Sequence, residues 1–214
     1  IKNVFQNKFI FIENNFALRA GTEARVYTMS DEQILAVNEL IQTRWFNDAV
    51  ATGSLVETSL QLKKHESEHY VMGARSPFYF RFGVNSTNKH IVAAVFSTQH
   101  ATNVGGMMQG GAISSIFDAM TATVGSVVVE PMAFGTTKSL TVMFKAPTPL
   151  RTVLKFSVLS ASFSMENGTG VVRAQLSDGL ENGEIYALCE AELVDIKRRK
   201  KWKMKMKQSS TTSK

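Results

Sequence analysis

Hydrophobic and polar positions change their period along the chain. Residues 1–28 show no strong period, and then Ile34, Leu35, Val37, Leu40, Ile41, Trp45 and Phe46 recur at helical spacing. Ser30, with Gln33 three residues on, reads as the N-cap of a capping box, so one amphipathic helix is expected over 31–50, laid on the main domain. After the polar stretch 61-QLKKHESEH-69 the period becomes two from Ser76. Segments 77–84 and 90–97 read as strands joined by a turn at 85-NSTN-88. Then comes 109-QGGAISSIFDAMTATVGSVVV-129, a long helix. Four more strands follow, at 137–145, 152–160, 169–177 and 184–193. Pro147 and Pro149, Asn167-Gly168, and Asp178-Gly179 through Asn182-Gly183 separate them, and the Asn-Gly and Asp-Gly pairs predict hairpins in an antiparallel meander. Two strands, a long helix and four strands make an α+β layer arrangement.

Three segments result: an N-terminal extension over 1–70, a main domain over 71–196 and a tail over 197–214. The formal charge of +6 sits in the tail, which holds nine of the 24 Lys and Arg and no acid. The rest has 15 basic against 18 acidic residues and is mildly acidic. A domain-wide basic field is therefore absent and no nucleic-acid partner is expected. The tail interleaves Trp202, Met204 and Met206 with lysines, which suits a weak contact with an anionic membrane surface or a disordered extension. The chain opens on Ile1, so it is expected to begin inside a longer chain or after processing. Segment 111–129 has the length of a membrane span, but its Gly, Ser and Thr content and Asp118 argue against one. The single cysteine, Cys189, excludes an intrachain disulfide; alternating with Ala187 and Ala191, it reads as core packing.

The long helix carries the chemistry. Ile113, Ile116, Phe117, Met120, Val124 and Val127 form an apolar stripe, while Ala112, Ser115, Ala119 and Ala122 form a face of small residues. A helix apolar on one side and small on another is expected to be enclosed, with Asp118, Ser114, Thr121 and Gly125 on a narrow third stripe, the only place where a partner, a water or a substrate could approach. A buried carboxylate is costly unless it is paired or used. At the helix start, Gly110-Gly111 offer N–H groups at the positive end of the helix dipole, which suits a developing oxyanion. Together they suggest acyl-transfer hydrolysis: a polarised carbonyl, and a carboxylate acting on water or on the carbonyl carbon. Gly110 and Asp118 stand about 12 Å apart along an ideal helix, whereas reacting groups need about 3–3.5 Å. One chain cannot easily supply both to one carbonyl. Two antiparallel helices across a two-fold axis can, so a homodimer with composite sites is expected.

Gln109-Gly110-Gly111, Asp118 nine residues after Gln109, and a strand ending in Phe144-Lys145-Ala146-Pro147-Thr148-Pro149 resemble the motifs of the hotdog-fold acyl-CoA thioesterases. The likeness is strongest to the thioesterase superfamily member four and five group, and more distant to the phenylacetyl-CoA type, and covers roughly 76–196. It implies a hotdog fold, a long central helix wrapped by about six antiparallel strands. It also implies an acyl-CoA substrate, a role in fatty acid metabolism, a dimer or dimer of dimers, and a mitochondrial or cytoplasmic setting. By the same likeness Asp118 is nucleophile or general base, and the Gly110 N–H is oxyanion donor. Thr137 orients the acid or its water, and Asn103 lies near the thioester or is a turn residue. Gly111 and Ser114 would line the substrate, with Lys138, Lys145 or Arg151 meeting coenzyme A phosphates. Where the family has His, this chain has Gln109. The backbone role of Gly110 survives that change, while any proton-handling role of an imidazole does not.

No metal or redox cofactor is implied, since water is the only co-substrate of thioester hydrolysis. The stretch 65-HESEH-69 matches the H-E-x-x-H zinc signature, but in a charged segment it reads as a solvated linker. His90 and His100 read as structural. The competing function is a non-catalytic acyl-CoA-binding or regulatory hotdog module, with Gln109 marking lost catalysis. A dehydratase is disfavoured, because no His stands on the central strand or helix.

Overall fold

The computed structural model describes residues 10–12, 15–20, 23–28, 31–58, 77–88, 90–128 and 136–196. The tail, Ser30 and the 65–69 motif lie outside the described residues. Where the sequence shows no period, β1 (Ile10–Ile12), β2 (Asn15–Ala20) and β3 (Glu23–Thr28) pair as a small antiparallel sheet.

The single helix expected over 31–50 is two, α1 (Asp31–Gln42) and α2 (Arg44–Ala51). The break falls at Thr43, whose backbone is extended (φ −60°, ψ 102°) and whose hydroxyl donates to the Glu39 carbonyl at 2.9 Å. The Thr43 N–H bonds the Leu40 carbonyl, three residues back, at 3.4 Å, so α1 closes on a tighter turn. The hydrophobic spacing runs straight through the break and does not reveal it.

The main sheet has seven antiparallel strands in the order β4-β5-β6-β8-β9-β10-β7. They are β4 (Leu55–Thr58), β5 (Phe78–Asn85), β6 (Ile91–Ser97), β7 (Thr136–Phe144), β8 (Val153–Ser164), β9 (Thr169–Ser177) and β10 (Ile185–Val194), with α3 (Gly110–Val128) between β6 and β7. A long helix wrapped by an antiparallel sheet is the hotdog arrangement, in the α+β class expected. The sheet is one strand larger than the pattern suggested, because β4, from within the 1–70 extension, pairs with β5 through Leu55↔Asn85 to Thr58↔Phe82. From α3 the chain crosses to β7 at one edge and returns to β8 in the middle, so β4 and β7 are the two edges.

Helices pack on both faces of β6. Ile91, Ala93 and Val95 join the core around α3, whereas Ala94 and Phe96 pack with Ala36, Leu40, Phe46 and Leu55 beneath α1 and α2. Phe46 is fully buried against Gly83, where an added Cβ would come 3.3 Å from the ring. The Arg81 guanidinium stacks 4.5 Å over the same ring and binds both Glu57 carboxylate oxygens, at 2.6 and 3.0 Å. It also donates to Asn47 Oδ1 at 2.5 Å and to the Leu40 carbonyl at 3.3 Å, so one side chain ties α1, α2, β4 and β5 together. Turn chemistry fixes the meander. Gly168 and Gly179 hold positive φ of 68° and 85°, while Asn167 and Asp178 side chains accept backbone N–H bonds from Thr169 and Leu180.

Phe46 anchors the outer layer. Phe46→Ala is expected to lower unfolding free energy by about 3–5 kcal/mol in urea titration. A loss under about 1 kcal/mol would show that α1 and α2 are not integral to the fold.

Candidate functional site

The start of α3 is tied down on both sides. The Gln109 N–H donates to the Ala101 carbonyl at 2.8 Å, the Gln109 carbonyl accepts from the Ile113 N–H at 3.1 Å, and the Met108 N–H donates to the Thr148 carbonyl at 2.9 Å. The next N–H groups, of Gly110 and Gly111, donate no hydrogen bond among the described residues. They are the orphan donors that every helix start leaves, here on residues without side chains to cover them.

The helix is not enclosed as the sequence suggested. Ala112, Ile113, Ile116, Phe117, Met120, Thr121 and Val124 are buried, but Gly111 and Asp118 are exposed. The stripe proposed for Asp118 is split: Thr121 and Gly125 are buried, Ser114 is half-buried and Asp118 faces solvent. The sheet covers one side of α3 and leaves the other open, so a single chain does not have to desolvate this carboxylate. Nor do neighbouring hydroxyls satisfy it. Ser114, Ser115 and Thr121 donate to the carbonyls of Gly110, Gly111 and Phe117, each four residues back, at 2.8–2.9 Å.

The edge strand β7 lies beside this open side. Its register against β10 is Phe144↔Ala187, Val142↔Cys189, Leu140↔Ala191 and Ser139↔Glu192, and then slips to Thr137↔Leu193. The slip is a bulge that leaves Lys138 without a partner. Strict alternation would put Lys138 on the α3 side with Leu140 and Val142. The bulge instead gives that side to Thr137, opposite the fully buried Leu193. Bulges beside functional sites commonly re-aim a side chain in this way. Lys138 turns to the outer face, where Nζ donates to both Glu192 oxygens at 2.6 and 2.7 Å. In the single chain it is therefore engaged by a carboxylate.

At the far end of β7, Phe144 covers Gly110: an added Cβ there would lie 3.1 Å from the Phe144 Cζ. Lys145 follows, exposed, its N–H bonded to the Tyr186 carbonyl at 2.8 Å. Gln109 is exposed beside Gly111, and Arg151 is exposed two residues before β8 with φ 55°. Asn103 organises the loop before α3, its Oδ1 accepting from the N–H groups of Gly105 (2.8 Å) and Met107 (3.1 Å). Its oxygen thus belongs to a turn, and only its amide NH2 remains to meet a ligand. Gln109, Gly110, Gly111 and Phe144 share one end of α3, while Asp118 lies two turns on. The contact between Phe144 and Gly110 was missed in sequence; the aromatic was visible in the motif, but its register was not.

Cys189 is buried, and its thiol is pushed up from 9.0 to about 12, chiefly by burial and then by the negative charges of Asp118 and Glu190. Among the described residues no group of three or more His, Cys, Asp or Glu could hold a metal ion, and no helix is long and apolar enough to cross a membrane.

No family model matches the chain, and no curated protein matches it. Among solved structures it is similar to zebrafish thioesterase superfamily member 2, with 15% identity over 56% of this chain and 82% of that one, TM-score 0.45. It is similar to the E. coli PaaI protein from the phenylacetic acid degradation operon, with 15% identity over 78% and 96%, TM-score 0.43. A third likeness is to a hypothetical thioesterase protein with coenzyme A from Streptococcus pneumoniae, with 13% identity over 56% and 88%, TM-score 0.43.

The raised thiol makes a direct prediction. A neutral Cys189 stabilises the fold below pH 9, and that contribution is lost as pH climbs from 9 towards 12. At pH 8 the native protein should resist a thiol reagent that labels the urea-unfolded chain within minutes. Equal labelling of both states would contradict a buried, protonated Cys189.

Proposed function

We propose that the chain hydrolyses acyl-CoA thioesters to a free acid and coenzyme A, using composite sites shared by two copies. The observation that carries this reading is the open side of α3, which presents unpaired Gly110 and Gly111 N–H groups at one end and an exposed Asp118 two turns on. Eight residues of helix separate Gly110 from Asp118 by about 12 Å. A second chain, running antiparallel across a two-fold axis, brings its own Asp118 to the first chain's glycine. The β7 edge supports this, because a strand paired on one side only among the described residues, with half-exposed Met143 and Phe144, is a natural seam for an isologous contact.

In this site the thioester oxygen accepts from the Gly110 N–H, so charge that develops on it is met by a fixed donor at a helix N-terminus. Asp118 of the other chain attacks the carbonyl carbon, or takes a proton from a water that attacks it. By the first route the C–S bond breaks as a mixed anhydride forms on Asp118, and a water then cleaves it, releasing the acid, restoring the carboxylate and giving its proton to the thiolate. By the second the water oxygen forms the C–O bond as the C–S bond breaks, and Asp118 passes the proton it took to the departing thiolate. Thr137, turned to the α3 side by the bulge, is the hydroxyl that orients the acid or its water. Exposed Lys145 fits the coenzyme's phosphates, and Lys138, paired with Glu192, fits them less well.

The test is hydrolysis of an acyl-CoA panel by wild type and Asp118→Asn. Wild-type turnover that falls at least about a hundredfold in Asp118→Asn, with the fold intact by circular dichroism, is the expected result. Acyl-CoA binding without turnover in either form would favour a non-catalytic module in which Gln109 marks a lost imidazole.

A further inference from the structure

Phe144 ends β7 on the face of the sheet that carries α3, since it pairs with Ala187, a fully buried residue of that face. A methyl on Gly110 would lie 3.1 Å from its Cζ and 3.6 Å from both Cε atoms, so the tip of the ring rests on the glycine. Helical Cα–Cβ bonds tilt towards the N-terminus. A ring at that position therefore flanks the end of α3 from which the Gly110 and Gly111 N–H groups point. The ring is 53% exposed, so one side packs on Gly110 and the rest stays open. It is held from behind, where the N–H groups of Lys145 and Ala146 both donate to the Tyr186 carbonyl, at 2.8 and 3.3 Å.

We propose that Phe144 is a specificity-determining residue, whose ring limits bulk at the carbon next to the thioester carbonyl and so favours unbranched acyl groups over those branched at that carbon. This rests on the reading that the Gly110 N–H receives the carbonyl oxygen. An oxygen accepting from that N–H sits about 2.9 Å from the nitrogen, and the two substituents of the carbonyl diverge from there. The coenzyme arm carries phosphates and stays towards solvent, whereas the acyl carbon is the apolar substituent and takes the side of the ring. A branch at that carbon competes for the space the ring tip fills. Gly110 shows how narrow that space is, because even a methyl on its own Cα would press on the ring.

The test compares kcat/KM within pairs that differ only by branching at that carbon: isobutyryl- against butyryl-CoA, 2-methyloctanoyl- against octanoyl-CoA, and 2-methylpalmitoyl- against palmitoyl-CoA. Wild type, Phe144→Leu and Phe144→Ala are assayed, with Leu180→Ala, an exposed turn residue, as control. The branched-to-unbranched ratio is expected to rise about tenfold in Phe144→Ala and less in Phe144→Leu, and to stay unchanged in Leu180→Ala. A ratio within about twofold of wild type in both Phe144 variants overturns the role of the ring and leaves hydrolysis standing. No wild-type turnover of any of the six esters overturns the hydrolysis reading and this role with it.

Discussion

The seven-stranded sheet covers one side of α3 and leaves the other bare, and every functional feature depends on that one-sided burial. The covered side is dry and apolar, from Ile113 through Ile116, Phe117 and Met120 to Val124. The bare side holds Gly111 and Asp118. A carboxylate there is not desolvated by its own chain. Burial of the same helix on all sides by its own chain would demand a partner for Asp118 from within, and the helix hydroxyls are already bonded to backbone carbonyls.

The strand order then sets what stands beside the bare side. Because the chain passes from α3 to β7 at the outer edge, the strand closest to the open helix face has no further neighbour. That strand delivers two side chains to the helix by different means. Simple alternation along a regular stretch brings Phe144 onto Gly110. A bulge at Lys138 reverses the alternation and brings Thr137 to the same face. The outer layer of α1 and α2, fixed through Phe46 and Arg81, covers the opposite face of β6 and takes no part in the site.

Much of this was legible in the residues. The meander was readable because Asn167-Gly168 and Asp178-Gly179 are turns with a mechanism, and 169–177 is the observed strand to the residue. The antiparallel α+β layers follow from the change of period around one long apolar helix. Other features depend on context that a pattern does not carry. Helical spacing passes unbroken through Thr43, although the backbone turns extended there and splits the helix. β4 is only four residues long and exposes Val56, so its alternation is too brief to register. Period-two counting assumes no bulge and would have placed Lys138, not Thr137, on the α3 side. The pattern leaves Asp118 only a narrow approach, whereas the structure exposes it, because a count of apolar residues does not say how much of the helix the sheet covers.

Shared sites are tested most directly by subunit complementation. Gly110→Pro removes the donor N–H at the first helical position, where proline's fixed φ is accepted although its ring displaces Phe144 of the same chain, and Asp118→Asn removes the acid. Each homodimer should then be inactive on acyl-CoA. Mixed, unfolded and refolded together in equal amounts, the two variants should recover about a quarter of wild-type hydrolysis, since half the dimers are mixed and each of those has one intact site of two. A mixture as inactive as its parents, in which mixed dimers are shown to form, would contradict a site built from two chains.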